Sequence, residues 1–197
     1  MFINLLKEVK IQKYISDCLS NNWAGTEWED YPLLGAKQKG GLGELLIENR
    51  LKKEGNQVTP SESTDHDRMV NKKKLEIKFS LASSNKGKDG KLIDPDNFTF
   101  NHIGLKKDWD ILLLAGINPC RNQLNVRTKD HSSWPSERIY YIHKKDLVRH
   151  MACNKPLLKP QQGGKKANND DYILAGRNKF LEFIELPYVH EYKGGRL

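Results

Sequence analysis

From Asp67 to Ser80 the chain reads Asp-Arg-Met-Val-Asn-Lys-Lys-Lys-Leu-Glu-Ile-Lys-Phe-Ser. Two carboxylates, Asp67 and Glu76, stand nine positions apart, and Lys78 follows the second after a single apolar residue. Paired carboxylates offer oxygen ligands to a hard divalent cation, and an ammonium beside them neutralises charge on a phosphoryl group. That chemistry requires the two acids to meet. Met69 and Val70 form a short apolar run, Asn71 to Lys74 is polar enough to turn, and Leu75 to Phe79 alternates apolar and charged residues. This is the pattern of strand, tight turn and strand. Side chains alternate along a strand, so Leu75, Ile77 and Phe79 share one face and Glu76 and Lys78 the other. A tight hairpin then draws Asp67 towards Glu76 at its open end. The competing reading of Glu76 and Lys78 is a solvated strand face whose charges partly balance.

Upstream, Gly41-Leu42-Gly43-Glu44-Leu45-Leu46 lies in a predicted helix and adds a third acid, Glu44. Asp67 followed by Glu76-Ile77-Lys78 on an apolar strand resembles the PD-(D/E)xK motif of restriction-endonuclease-like nucleases. The helix carrying Glu44 resembles the one that supplies a further acidic residue in that superfamily. The proline that names the motif is absent, since Thr64-Asp65-His66 precedes Asp67, and Asp65 is therefore a rival first acid. The resemblance covers Lys39 to Ser83 and extends to the remainder in outline. It implies an α/β fold, a central mixed β-sheet flanked by helices. It implies that Asp67, Glu76, Lys78 and Glu44 are catalytic, and that Asp67, Glu76 and the Ile77 carbonyl hold Mg²⁺, with Mn²⁺ as a substitute. Lys78 would sit at the scissile phosphate. Glu44 alone also reads as a first-turn carboxylate favoured by the helix dipole.

The rest of the chain bounds this expectation. Its 197 residues suit a single domain, and 37% apolar with 29% charged residues describes a polar globular chain. It lacks the run of about 18 apolar residues that a membrane span needs, and its N-terminus is charged too soon for a secretory signal. The net charge of +8, from 33 basic and 25 acidic residues, favours a polyanionic partner. Cys18, Cys120 and Cys153 are odd in number and lack CxxC spacing. They speak for a reducing compartment, hence a cytoplasmic location of prokaryotic or phage type, and against structural zinc. His66 has no second histidine at ligand spacing and is expected beside the site or exposed.

An amphipathic helix is predicted over about residues 1–20, followed by an ordered loop from Asn21 to Lys39 anchored by Trp23, Trp28 and Tyr31. A second helix runs from Leu42 to just before Gly55, with Leu42, Leu45, Leu46 and Leu51 facing the core. Strands are expected at Gln57 to Pro60, Phe98 to Ile103, Leu124 to Arg127 and Ile139 to Ile142. Trp109 to Ile117 reads as a central strand buried on both faces. Lys145 to Cys153 reads as a short helix, and Tyr172 to Leu186 as a strand or helix piece. Loops over about 84–97, 118–138 and 155–171 are candidate DNA contacts. Lys86, Lys88, Lys91, Lys106, Lys107, Lys165 and Lys166 suit phosphates, whereas Arg121, Asn122, Gln123 and Arg127 have the chemistry to read base edges.

The expected function is a Mg²⁺-dependent, sequence-specific endonuclease of double-stranded DNA, of restriction or homing type. It is expected to act as a homodimer, because a palindromic site calls for two-fold protein symmetry. The alternatives are a Holliday-junction resolvase-like nuclease and a DNA-binding module of the same fold without catalysis.

Overall fold

The structure is a computed structural model, and it describes residues 27–84, 93–118, 135–153, 156–161 and 170–197. A 3₁₀ turn, Tyr31–Leu33, leads into helix α1, Ala36–Lys53. The strands are β1 Val58–Pro60, β2 Arg68–Val70, β3 Lys73–Leu81, β4 Thr99–Ile103, β5 Ile111–Ile117, β6 Glu137–His143, β7 Lys159–Pro160, β8 Tyr172–Ala175 and β9 Val189–Glu191. Helix α2, Lys144–Cys153, follows β6, and α3, Arg177–Ile184, follows β8. The main sheet has six strands in the order β1-β2-β3-β5-β6-β9, and β4-β8-β7 form a second, three-stranded sheet. Only the β3–β5 pairing is parallel in the main sheet, so the architecture is α/β with a mixed central sheet.

β5, Ile-Leu-Leu-Leu-Ala-Gly-Ile, is apolar throughout because both of its faces are covered. Ile111, Leu113 and Ala115 join Ile47 and Leu51 of α1, with Val70, Leu75 and Ile77, in one core. Leu112 and Leu114 join Phe98, Phe100, Leu147, Phe180 and Phe183 in the other. Gly116 lies beneath Phe98, and a Cβ there would come 2.4 Å from the ring. The expected central strand is therefore found, and Leu113, which is fully buried, anchors it.

The β2–β3 hairpin turns on two residues, Asn71 and Lys72, with φ of 49° and 69°. Two successive positive φ values match the twist of the flanking strands, the type I′ geometry that two-residue hairpins favour. Asn71 suits the left-handed region, and its side chain accepts a hydrogen bond from the Gln57 N–H at 3.0 Å. The register that results is Val70↔Lys73, Met69↔Lys74 and Arg68↔Leu75.

Helix α1 differs from expectation in both its start and its inner face. It begins at Ala36, where the Gln38 side chain accepts the Gly35 N–H at 2.8 Å. It ends as predicted: Gly55 adopts φ of 85°, and the Asn56 and Gly55 N–H groups return to the Leu51 and Lys52 carbonyls. Its buried residues are Gly43, Ile47 and Leu51, whereas Leu45 and Leu46 are exposed and Leu42 is half-buried. The cause is Gly43. A Cβ there would meet the Phe79 Cβ at 2.2 Å, so the helix backbone seats directly on β3 and the leucines roll outwards. Trp28 and Tyr31 pack on the same Phe79, at ring-centroid distances of 5.7 and 6.1 Å, as the anchor reading of these aromatics expects.

Other local expectations also shift. The segment 93–97, read as part of an exposed loop, is structural: Ile93 is fully buried, and Asp94 and Asn97 are buried with it. Leu157 and Leu158, placed in a polar loop, are core residues, buried in the same apolar cluster as Phe98, Phe100 and Phe180. Tyr172 to Leu186 resolves into β8 followed by α3. The predicted helix at 1–20, Trp23 and the strand at Leu124 to Arg127 lie outside the described residues.

Candidate active site

The site forms where the hairpin opens. β2 ends its ladder at Arg68, but the Asp67 N–H still donates to the Leu75 carbonyl at 2.9 Å. Asp67 lies outside that ladder: its N–H meets the carbonyl of Leu75, the residue already paired with Arg68, so its side chain reaches past Glu76. The Asp67 carboxylate then replaces the missing strand, because its Oδ2 accepts the Ile77 N–H at 2.7 Å. In a strand the N–H and C=O of one residue point to the same edge, so the Ile77 carbonyl is on Asp67's side. Asp65, the rival first acid, lies instead in the turn at Ser61 to Asp65 and acts electrostatically on Lys74.

Glu76 is not on a solvated face. Its residue exposure is 1%, and its Oε1 accepts a hydrogen bond from Lys78 Nζ at 2.6 Å. Lys107, from the loop before β5, places its ammonium 3.8 Å from the same oxygen. Burial pushes the Glu76 carboxyl above its ordinary value; the Lys78 charge pulls it back, and the Asp67 charge pushes it up again. A buried carboxylate facing a second one is costly to fold, and such strained electrostatics cluster at functional sites.

Glu44 approaches from α1. Its carboxyl is also raised, by burial and then by the Asp67 charge, with Arg68 and Lys78 opposing. It lines, together with Lys39, Ile77, Lys78, Ser80 and Thr99, a cavity of about 490 Å³ between the start of α1 and the second half of β3. Gly43 brings it there: the close seating of the helix on Phe79 carries the next residue to the sheet edge. Arg68, which the sequence reading passed over, ties the acids together. Its guanidinium donates to Glu44 at 3.3 Å, to Glu48 at 2.6 Å and to the Asp67 carbonyl at 2.6 Å. No motif marks it, because its partners Glu44 and Glu48 lie on α1, far away in the sequence.

Among the described residues no group of three or more His, Cys, Asp or Glu side chains converges on one point. The donors expected for a metal, Asp67, Glu76 and the Ile77 carbonyl, comprise two acidic side chains and one backbone oxygen. These are oxygen donors only, which fits Mg²⁺ and excludes a soft-metal site. Burial is the main cause that raises both Glu44 and Glu76; the Asp67 charge adds to it, and that added part is what a divalent cation would offset.

His66 is buried at 7% exposure, and neither ring nitrogen has a hydrogen-bond partner. Of the two expectations for His66, beside the site or exposed, burial removes the second. Cys153 is free and exposed. The candidate DNA contacts Lys86, Lys88, Lys91, Arg121, Asn122, Gln123, Arg127, Lys165 and Lys166 lie outside the described residues. Lys106 is held through its backbone N–H by Asp170 at 2.7 Å. Among the described residues no helix is long and apolar enough to cross a membrane. No known protein family matches the chain, and neither does any curated protein.

Proposed function

We propose that the protein is a Mg²⁺-dependent endonuclease that hydrolyses phosphodiester bonds in double-stranded DNA at defined sequences, a member of the restriction-endonuclease-like group. One observation carries the reading: Glu76, at 1% exposure and bonded to Lys78, directly precedes Ile77, whose N–H the Asp67 carboxylate accepts. A chain that needed only a stable sheet would place an apolar residue at Glu76, where burying a charge has a cost and no packing benefit.

Asp67, Glu76 and the Ile77 carbonyl would hold the cation, which when bound supplies Lewis acidity and a more acidic water. The protein's own groups do the remainder. The Ile77 N–H fixes the Asp67 carboxylate, and Arg68 fixes the Asp67 carbonyl, so the first acid is positioned before substrate arrives. Lys78, bonded to Glu76 at 2.6 Å, would meet the scissile phosphate and neutralise charge on its oxygens. Glu44 stands within electrostatic range of Asp67 and Lys78 and orders the polar groups around the attacking water. The net charge of +8 supports attraction of a polyanion. Sequence-specific recognition and a homodimer, each subunit cutting one strand, remain part of this proposal through the polar chain that surrounds the motif.

The test is digestion of plasmid and long linear DNA with Mg²⁺, with Mn²⁺ and with EDTA, followed by sequencing of the ends. Discrete fragments requiring the divalent ion are expected, with cleavage lost in Asp67→Ala and Lys78→Ala and DNA binding kept in Lys78→Ala. Cutting confined to four-way junctions would favour the resolvase-like activity instead. Binding without cutting, unchanged in both variants, would leave a DNA-binding module. Full cleavage by Glu76→Ala would place the site elsewhere.

A further inference from the structure

Glu76 has two ammonium groups beside it. Lys78 makes a charge-assisted hydrogen bond at 2.6 Å, whereas Lys107 at 3.8 Å is an ion pair beyond hydrogen-bond length. The loop that carries Lys107 is built to aim it. A Cβ on Gly104 would lie 2.9 Å from Lys107 Cγ, so the bare glycine gives the lysine stem its path. The Gly104 carbonyl accepts the indole N–H of buried Trp109 at 2.7 Å. The Lys107 carbonyl accepts the Trp109 N–H at 3.2 Å and the Lys144 ammonium. Asp110 closes the loop onto β3, its Oδ2 accepting the Lys74 N–H at 2.8 Å. Lys107 therefore comes to Glu76 from the N-terminal end of β3, and Lys78 from two residues further along the strand.

The charges Asp67 and Glu76 against Lys78 and Lys107 balance. With a divalent cation held by Asp67 and Glu76, both ammonium groups would be available to an anion. Lys107 is the more accessible, with its side chain 39% exposed against 16% for Lys78. Resting on the nuclease reading, we propose that Lys107 is a second phosphate-contacting residue of the hydrolytic site, meeting a non-bridging oxygen of the scissile phosphate from the side opposite Lys78. In the reaction a water oxygen bonds to phosphorus, and the P–O3′ bond breaks with its electron pair passing to the 3′ oxygen. One water proton ends on that 3′ hydroxyl and the other on the 5′-phosphate or in solvent. Lys107 neither gains nor loses a proton; it offsets the negative charge that grows on the non-bridging oxygen.

The full chain is compared with Lys107→Ala and Lys107→Arg in single-turnover plasmid cleavage with Mg²⁺. DNA affinity in EDTA, Mn²⁺ affinity of the DNA-free protein by calorimetry, and Tm are measured alongside. Lys107→Ala is expected to slow cleavage about a hundredfold with DNA affinity changed by less than about threefold, and Lys107→Arg to recover most of the rate. Mn²⁺ affinity is expected to hold or tighten, because a cation has been removed from beside Glu76. Lys107→Ala cutting at the parent's rate overturns the inference and leaves the nuclease reading intact. A slowed Lys107→Ala whose Mn²⁺ affinity also falls, with Lys107→Arg no better, overturns it in favour of a lysine that only props Glu76. A loss seen in DNA affinity with the cleavage step unchanged reduces it to substrate holding and overturns it too. A parent that cuts no DNA with either ion overturns the nuclease reading itself and this inference with it.

Discussion

The molecule contains two pairs of carboxylates, each matched by two cations, and they differ in nearly every other respect. Glu44 and Glu48 lie one turn apart on α1 and share the fork of Arg68, with Lys52 bonded to Glu48 at 2.6 Å. Asp67, just ahead of β2, and Glu76, on β3, form the strand pair: Asp67 accepts the Ile77 N–H, and Glu76 faces Lys78 and Lys107. In the helical pair, hydrogen bonds from Lys52 and Arg68 hold Glu48 below its ordinary value. In the strand pair, burial lifts Glu76 above the same value despite the nearby lysines. Charge balance is thus a poor guide to what an acid does, because desolvation decides the sign. Glu48 is an acid the fold is stabilised by. Glu76 is an acid the fold tolerates. Glu44 belongs to both groups, bonded to Arg68 yet raised by burial and by Asp67.

Neutral isosteres separate the two pairs most sharply. Glu76→Gln is expected to reduce DNA cleavage by a factor on the order of a thousand while leaving Tm of the metal-free protein unchanged or higher. Glu48→Gln is expected to do the reverse, retaining most of the rate and lowering stability by about 1 kcal/mol. Single-turnover cleavage and thermal melting on the two variants decide it, and a Glu76→Gln protein that melts far below the parent would erase the distinction.

The contact that joins the pairs is next in size. Gly43→Ala puts a methyl group 2.2 Å from Phe79 Cβ, so the helix must lift. A loss of about 1–3 kcal/mol is expected from overpacking, along with slower cleavage as Glu44 is displaced. Urea denaturation measures the first and the cleavage assay the second; an alanine accommodated at no cost would mean that α1 is not seated as described. His66→Leu tests the buried histidine in the same framework. Because neither ring nitrogen is bonded, removing them is expected to leave stability within about 1 kcal/mol of the parent or to raise it, as thermal melting would show.

The pH dependence is the finest discriminator. Glu48 is depressed in the folded protein, so its contribution is complete above the ordinary glutamate value of 4.5 and is lost as pH falls through its lowered value. Glu76 has the opposite sign. In the folded protein it keeps its proton above 4.5 when the unfolded chain has released its own, so stability falls as pH rises from 4.5 through the raised value. Melting curves of metal-free protein should therefore lose their acid limb in Glu48→Gln and their downward slope above 4.5 in Glu76→Gln. Slopes unchanged in both would show that neither acid is perturbed.

The sequence alone determined the local pieces of this arrangement. Alternation over Leu75 to Phe79 dictates a strand, the polar Asn71-Lys72 dictates where it turns back, and the unbroken apolar run in β5 dictates burial on both sides. Each of these depends on neighbours along the chain, and the order Glu44, Asp67, Glu76, Lys78 was legible for the same reason. What the tertiary structure decided is everything set by close approach across the chain. Leu45 and Leu46 have the hydrophobicity of core residues, but the missing side chain of Gly43 turned the helix so that they face outwards. Arg68 carries no motif, yet it bridges α1 to the hairpin. Lys107 is one lysine among many until Gly104 and Trp109 direct it to Glu76. Periodicity reports which way a side chain points within its own element; it carries no information on how near two elements come, and that distance is what turns separated charges into a site.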